Sequence, residues 1–217
     1  MKKVIVLLTL VIVLSCFASG QQEKQSGGLF RVSQDSKDGY IDRTGKIVIP
    51  PKFDGADDFS ENLAAVKIND QWGYIDETGK IVIEPQFSGA YKFSEGLARI
   101  QVGGNQYGMY GKWGFIDKTG RIIIEPQYDE LTGVAETSQG FQEGLAMVEI
   151  KYLKGFIDKS GKMVIEPKFQ YGYHFVEGLA CVSTGLDTKW GYIDKSGQWA
   201  IPPRFDRASL FSEGLAP

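Results

Sequence analysis

The stretch WGFIDKTG, residues 113–120, decides the fold of this chain because it recurs. Gly-aromatic-Ile-Asp stands at 39–42, 73–76, 114–117, 155–158 and 191–194. Each copy runs into a turn sequence: DRTG, DETG, DKTG, DKSG and DKSG. Next come IVIPPKF, IVIEPQF, IIIEPQY, MVIEPKF and WAIPPRF, and the unit closes on FSEN, FSEG, FQEG, FVEG and FSEG. Landmarks in register at a fixed spacing are the mark of a repeat architecture. They divide the chain into units 28–61, 62–95, 96–143, 144–177 and 178–213, with a sixth-unit stub from Gly214.

Repetition also settles what DKTG is. The same four letters carry the phosphoacceptor Asp of P-type cation pumps, which would make Asp117 a nucleophile. A pump needs Thr directly after the Gly, where this chain has Arg121, and it needs nucleotide-binding and membrane domains that 217 residues cannot hold. Five copies of D-x-[ST]-G, each between two apolar runs, read as hairpin turns instead. Asp at the first position accepts hydrogen bonds from backbone N–H groups further along the turn, and Gly at the fourth supplies positive φ.

A period near 34 residues also suits helical repeats, so residue type has to choose the class. Val, Ile, Phe, Tyr and Trp cluster in short runs bounded by Gly, Pro and Asp, which is strand chemistry. Pro at 50, 85, 126, 167 and 202 would break any helix placed there. The expected fold is all-β: a tandem repeat of short three-stranded antiparallel units, solenoid-like or superhelical, with a propeller-like arrangement as the alternative. Apolar residues at both parities of the third strand, as in Ile81, Val82 and Ile83, predict burial on both of its faces.

Residues 1–20 differ in kind. Lys2 and Lys3 precede an apolar run from Val4 to Leu14, too short to span a bilayer and of the size of a signal-peptide core. Two processing sites are consistent with it. Val13-Leu14-Ser15-Cys16 has the form of a lipobox, with Cys16 as the lipidated residue; Ala18 and Gly20 would instead direct cleavage before Gln21. Either implies export, to a membrane-anchored lipoprotein of the cell envelope in the first case and to a periplasmic or secreted protein in the second. Residues 21–27 form a polar tether ahead of the repeat domain, 28–217. The formal charge of −3, made two units more negative by loss of Lys2 and Lys3, and the lack of a basic cluster argue against nucleic acid. Membrane contact is expected only through a lipid anchor. With Cys16 and Cys181 the only cysteines, disulfides are not expected to hold the fold.

The repeated landmarks resemble those of the WG-repeat (KWG-repeat) family. Trp-Gly stands at 72–73, 113–114 and 190–191, while Asp38 and Lys154 occupy the Trp position of the other two units. The resemblance implies a repetitive β fold, frequent export or lipidation, and no common activity. The pattern is also similar to that of cell-wall-binding repeats.

Candidate sites follow from these features. Trp72, Trp113 and Trp190 offer aromatic faces to sugars or organic cations. Two insertions in the third unit, at 103–112 and 130–140, sit where repeat scaffolds carry binding loops, and Tyr107 and Tyr110 give the first of them contact area. The only histidine, His174, reads as a loop residue. Position 181 holds Cys where Ala65, Arg99 and Met147 stand elsewhere, which suggests a half-exposed site tolerant of any size. No catalytic constellation, metal-ligand spacing or cofactor motif stands out. The expected function is a non-enzymatic scaffold for a protein partner, with cell-wall glycan as the alternative ligand.

Overall fold

The computed structural model describes residues 28–104, 111–132, 139–185 and 188–215. They form five antiparallel sheets in tandem, each a meander of strands adjacent in sequence. The first sheet contains β1 (Phe30–Gln34), β2 (Lys37–Ile41) and β3 (Ile47–Phe53); the second, β4 (Gly55–Ala56), β5 (Leu63–Ile68), β6 (Gln71–Asp76) and β7 (Ile81–Phe87). The third holds β8 (Gly89–Ser94), β9 (Leu97–Val102), β10 (Lys112–Asp117) and β11 (Ile122–Tyr128). The fourth holds β12 (Phe141–Gln142), β13 (Leu145–Ile150), β14 (Leu153–Asp158) and β15 (Met163–Phe169). The fifth holds β16 (Tyr171–Gly172), β17 (Ala180–Ser183), β18 (Trp190–Ile193) and β19 (Trp199–Phe205).

The all-β tandem array follows the sequence expectation, and the last four sheets each carry one strand more than the three expected. That extra first strand is as short as Gly55–Ala56 and holds few β-branched residues, so nothing local announces it. Four-stranded meanders are also the units of propellers. Among the described residues, however, no strand of the first sheet pairs with one of the fifth.

Two local rules build each sheet. At the D-x-[ST]-G turn, Asp117 Oδ1 accepts from Thr119 N–H at 2.9 Å, Thr119 Oγ1–H at 2.6 Å and Arg121 N–H at 3.2 Å. Those bonds, the Thr119 hydroxyl foremost, hold the Asp117 carboxyl below the usual carboxylate range. Gly120 closes the turn at φ 86°, and its four counterparts lie between 81° and 85°. The second rule concerns the glycine of Trp-Gly. Two residues of β10 face four of β11, because Trp113 pairs with Tyr128 and Phe115 with Ile124. The bulge, which accommodates Pro126, lays backbone directly over Gly114. A Cβ there would stand 2.4 Å from Ile124 O.

Packing is between sheets. One cluster joins Tyr40, Ile49 and Phe53 of the first sheet to Ala56, Phe59, Val66 and Ile75 of the second segment. Three more repeat the pattern down the chain. At each junction an aromatic of one sheet meets Phe of the next, as in Tyr74–Phe93 and Phe156–Phe175, with ring centroids 4.9 Å apart in both. From the second sheet on, each D-x-[ST]-G turn also rests on an isoleucine of the preceding sheet: Gly79 on Ile49, Gly120 on Ile83, Gly161 on Ile124 and Gly197 on Ile165.

A polar ladder links the same junctions. Glu61, Glu95, Glu143, Glu177 and Glu213 all have φ between 51° and 53°, unusual for a residue with a side chain. Gly96 N–H in the third sheet donates to Glu61 of the second, at 3.1 Å. Gly144 N–H donates to Glu95, and Gly178 N–H to Glu143, both at 3.0 Å. Lys118, Lys159 and Lys195, the variable residues of the turns, reach back to the same three carboxylates at 3.0–3.1 Å. Each of these glutamates thus stands in its own bend at positive φ and, through its carboxylate, ties that bend to the next sheet.

One expectation fails. The strand expected to be third in each unit, which is the last of its sheet, is not buried on both faces: on β7 Ile83 is 3% exposed, but Ile81 and Val82 are 36% and 43% exposed. It is the last strand of its meander and therefore an edge.

Candidate binding surfaces

The Trp position lies on the second long strand of each sheet, beside Gly of the Trp-Gly pair. The structure brings two of the three candidates together. Trp72 and Trp113 line a groove of about 470 Å³ between the first three sheets, with Arg31, Asp57, Asp58, Tyr91 and Lys92. Trp190 sits apart in the fifth sheet, near Tyr171 and Tyr173. Cys16, Tyr107 and Tyr110 lie outside the described residues.

Trp113 is not presented as a free aromatic face. It is 4% exposed. Its Nε1–H donates to Glu130 Oε2 at 2.7 Å, Tyr91 packs at 5.2 Å, and the Arg99 guanidinium lies 4.7 Å from the ring centre. Trp72 is only partly covered and packs on the second core cluster. The fourth unit puts a buried Lys154 at this position, so the row of equivalent residues presents no continuous aromatic ladder.

Around Trp113 the repeat gives way to buried polar chemistry. Arg99 Nη1 donates to Gln139 Oε1 at 2.7 Å and Nη2 to Asp129 O at 3.1 Å. Burial pushes its guanidinium down to about 10. Lys154 and Glu149, both almost fully buried, pair at 3.1 Å. Lys154 also donates to Gln170 O, and Glu149 accepts from Thr132 N–H at 3.0 Å. These partners flank the second insertion of the third unit, so its two roots, Asp129–Thr132 and Gln139, are anchored from inside the protein.

Two smaller expectations change. Position 181 and its counterparts are buried rather than half-exposed: Ala65 0%, Arg99 1%, Met147 2%, Cys181 1%. Side chains of different size fit because each meets its own neighbours between the sheets, and burial pushes the Cys181 thiol up to about 12. His174 does lie between strands, but is buried, and burial holds its imidazole below its usual value.

The surface feature missed in the sequence is on the outer edge. Seven of the twelve large exposed hydrophobics fall at the start of a sheet's last strand: Ile47, Val48, Ile81, Val82, Ile122, Val164 and Trp199. Both positions are exposed in the first two sheets, whereas Ile123 and Met163 are half-buried on a core cluster and leave one exposed residue in each of their sheets. The continuous apolar run IVI does not distinguish exposed from buried positions without the neighbouring sheets.

Meanders in tandem, joined by repeated inter-sheet contacts and presenting repeated surface positions, make this a β-repeat scaffold. The sequence matches the model of the WG containing repeat five times, at 39–72, 72–105, 113–153, 155–185 and 190–217, and the chain belongs to that family. No curated protein matches the sequence. Among solved structures, one titled as a eukaryotic initiation factor is similar at a TM-score of 0.51 and 12% identity, over 86% of this chain and 55% of that one. The chain thus spans little more than half the length of that protein, and at such identity the likeness concerns the fold alone. A streptogramin B lyase structure is similar at a TM-score of 0.43 and 17% identity, over 87% of this chain and 74% of that one.

Proposed function

We propose that this protein is an exported, non-enzymatic scaffold of the cell envelope that binds a protein partner along the outer edges of its sheets. The observation that carries this reading is that every last strand begins with at least one exposed large apolar residue: Ile47 and Val48, Ile81 and Val82, Ile122, Val164 and Trp199. Contiguous apolar surface on a soluble domain is costly to leave in water and marks contact sites. Edge strands also offer unpaired backbone groups that a partner strand can take up. Cell-wall glycan is the weaker reading, because Trp113 is enclosed and only Trp72 offers an open face in the groove.

Replacing Val48, Val82 and Val164 by Glu tests the edge without touching the cores. The triple variant should keep its thermal midpoint within a few degrees, since surface substitutions usually change stability by about 0.5 kcal/mol or less each. It should lose at least about 90% of the envelope protein retained by the wild type, each buried valine being worth roughly 1.5 kcal/mol or more. Retention of purified cell wall by wild type and variant alike, with no envelope protein held, would favour the glycan reading. Loss only on trimming 103–112 and 130–140 to the lengths of the second unit would move the site to the insertions.

Anchoring is the second part of the proposal and rests on Val13–Cys16. Wild type should enter the detergent phase of Triton X-114, and Cys16→Ala the aqueous phase. Wild type in the aqueous phase with Gln21 at its N-terminus would mean ordinary secretion.

A further inference from the structure

The long hairpins of the first, second and fourth sheets turn on two residues each. Asp35-Ser36 joins β1 to β2, Asn69-Asp70 joins β5 to β6, and Lys151-Tyr152 joins β13 to β14. Both residues of each tip have positive φ, between 50° and 68°. That backbone matches the twist of the flanking strands and suits Asn, Asp and Gly. Asp35-Ser36 and Asn69-Asp70 come close to this chemistry, and the short hairpins put Asn or Gly second, as in Glu61-Asn62 and Glu95-Gly96. Lys151-Tyr152 does not. At φ 51° and 68° a long and an aromatic side chain both crowd the main chain.

The fold anchors this tip and takes nothing from its side chains. Asp129 Oδ2 accepts from Lys151 N–H at 2.8 Å, as Asp54 Oδ2 accepts from Asn69 N–H at 2.9 Å. Asp129 is fixed in turn, its N–H donating to Glu149 O and its carboxylate accepting from Lys112. Tyr152 is 81% exposed, the highest value for a large hydrophobic side chain among the described residues. Among those residues neither its ring nor its hydroxyl meets a partner, and neither does the Lys151 ammonium. Strain held in place without an internal return is characteristic of sites that act on something outside the chain.

We infer that the β13–β14 tip is a docking point for a protein, Tyr152 entering an apolar recess of the partner and Lys151 meeting a carboxylate at its rim. Tyrosine suits that role, having a large apolar ring, a polar end and few rotatable bonds. A lipid surface fits less well. It would also meet the equivalent tips of the first and second sheets, and those carry Asp35 and Asp70, which anionic headgroups repel. The tip lies at the other end of β14 from the D-x-[ST]-G turn, so it is a surface apart from the apolar starts of the last strands.

Photocrosslinking from the tip tests this. With p-benzoylphenylalanine at position 152 of the full chain, irradiation of intact cells should give one dominant protein adduct, mapped on the partner to apolar residues beside Asp or Glu. The same probe at position 70 should give little of it. The partner so identified, once purified, should bind Lys151→Asn with Tyr152→Gly at least about tenfold more weakly than wild type, the loss of one interface anchor. The same double variant should melt about 2–4 °C higher, because Asn-Gly relieves the turn. Lys151→Glu alone should also weaken binding. Lipid adducts only, equal adducts from both tips or no adduct would overturn the inference. So would a thermal midpoint that fails to rise, or Lys151→Glu binding as well as wild type.

Discussion

Glu149→Ala is expected to be the most damaging single truncation in the protein. Glu149 and Lys154 are 1% and 2% exposed and pair at 3.1 Å. Removing the carboxylate leaves the Lys154 ammonium buried with, among the described residues, only Gln170 O accepting from it, and takes the acceptor from Thr132 N–H as well. Breaking one side of a buried pair costs about 3–5 kcal/mol, because the remaining charge has lost both water and partner. Urea unfolding should show that loss. Glu149→Leu with Lys154→Met should recover most of it, since neither charge is then left alone. The double variant unfolding as easily as the single would mean that the pair matters for something other than charge.

Gly114→Ala should come close to this effect for a different reason. The added Cβ would stand 2.4 Å from Ile124 O and 2.7 Å from Pro126 N. Both are main-chain atoms of a bulge that is itself hydrogen-bonded to β10, so neither can yield cheaply. A cost of about 3 kcal/mol, at the upper end of overpacking in a dense interior, is the expectation. That corresponds to a fall of roughly 6–12 °C in thermal midpoint for a domain of this size. Calorimetry finding the variant within 2 °C or so of wild type would show that the close approach of the two strands is not real. Trp-Gly is, on this view, a motif about its glycine, and the tryptophan beside it can be Asp38 or Lys154.

Much of the fold was legible because each unit repeats its own punctuation. Five copies of D-x-[ST]-G between apolar runs located the hairpins, and the prolines excluded helices. What stayed hidden depends on neighbours distant in sequence. Gly55–Ala56 is a strand only because Lys67 and Val66 lie beside it. Val82 is exposed although its neighbour Ile83 is buried, and nothing in IVI distinguishes the face that the next sheet covers. Variation between Ala65 and Arg99 suggested exposure; instead Trp113, Gln139 and Asp129 enclose the arginine from segments 14 to 40 residues away. The glutamates close each unit in the sequence, but their bonds to Gly96, Gly144 and Gly178 cross between sheets. The three tryptophans are visible in the sequence, whereas the groups that enclose Trp113, namely Tyr91, Arg99 and Glu130, come together only in the fold. The outer-edge stripe was in view as apolar residues and was assigned to the core.

The fold and the proposed function both require the five sheets to stack as one continuous scaffold, and amide hydrogen exchange at Gly96, Gly144 and Gly178 tests that most directly. All three amides sit at the tips of hairpin turns, where an unpaired N–H would exchange as in a free peptide. In the stacked array each donates to a glutamate of the preceding sheet at 3.0–3.1 Å. A bond to a charged acceptor is worth roughly 1.5–3 kcal/mol, so protection of about tenfold or more is predicted at all three. It should vanish at Gly96 alone in Glu61→Ala. Exchange of all three at the free-peptide rate in the wild type would contradict the stack.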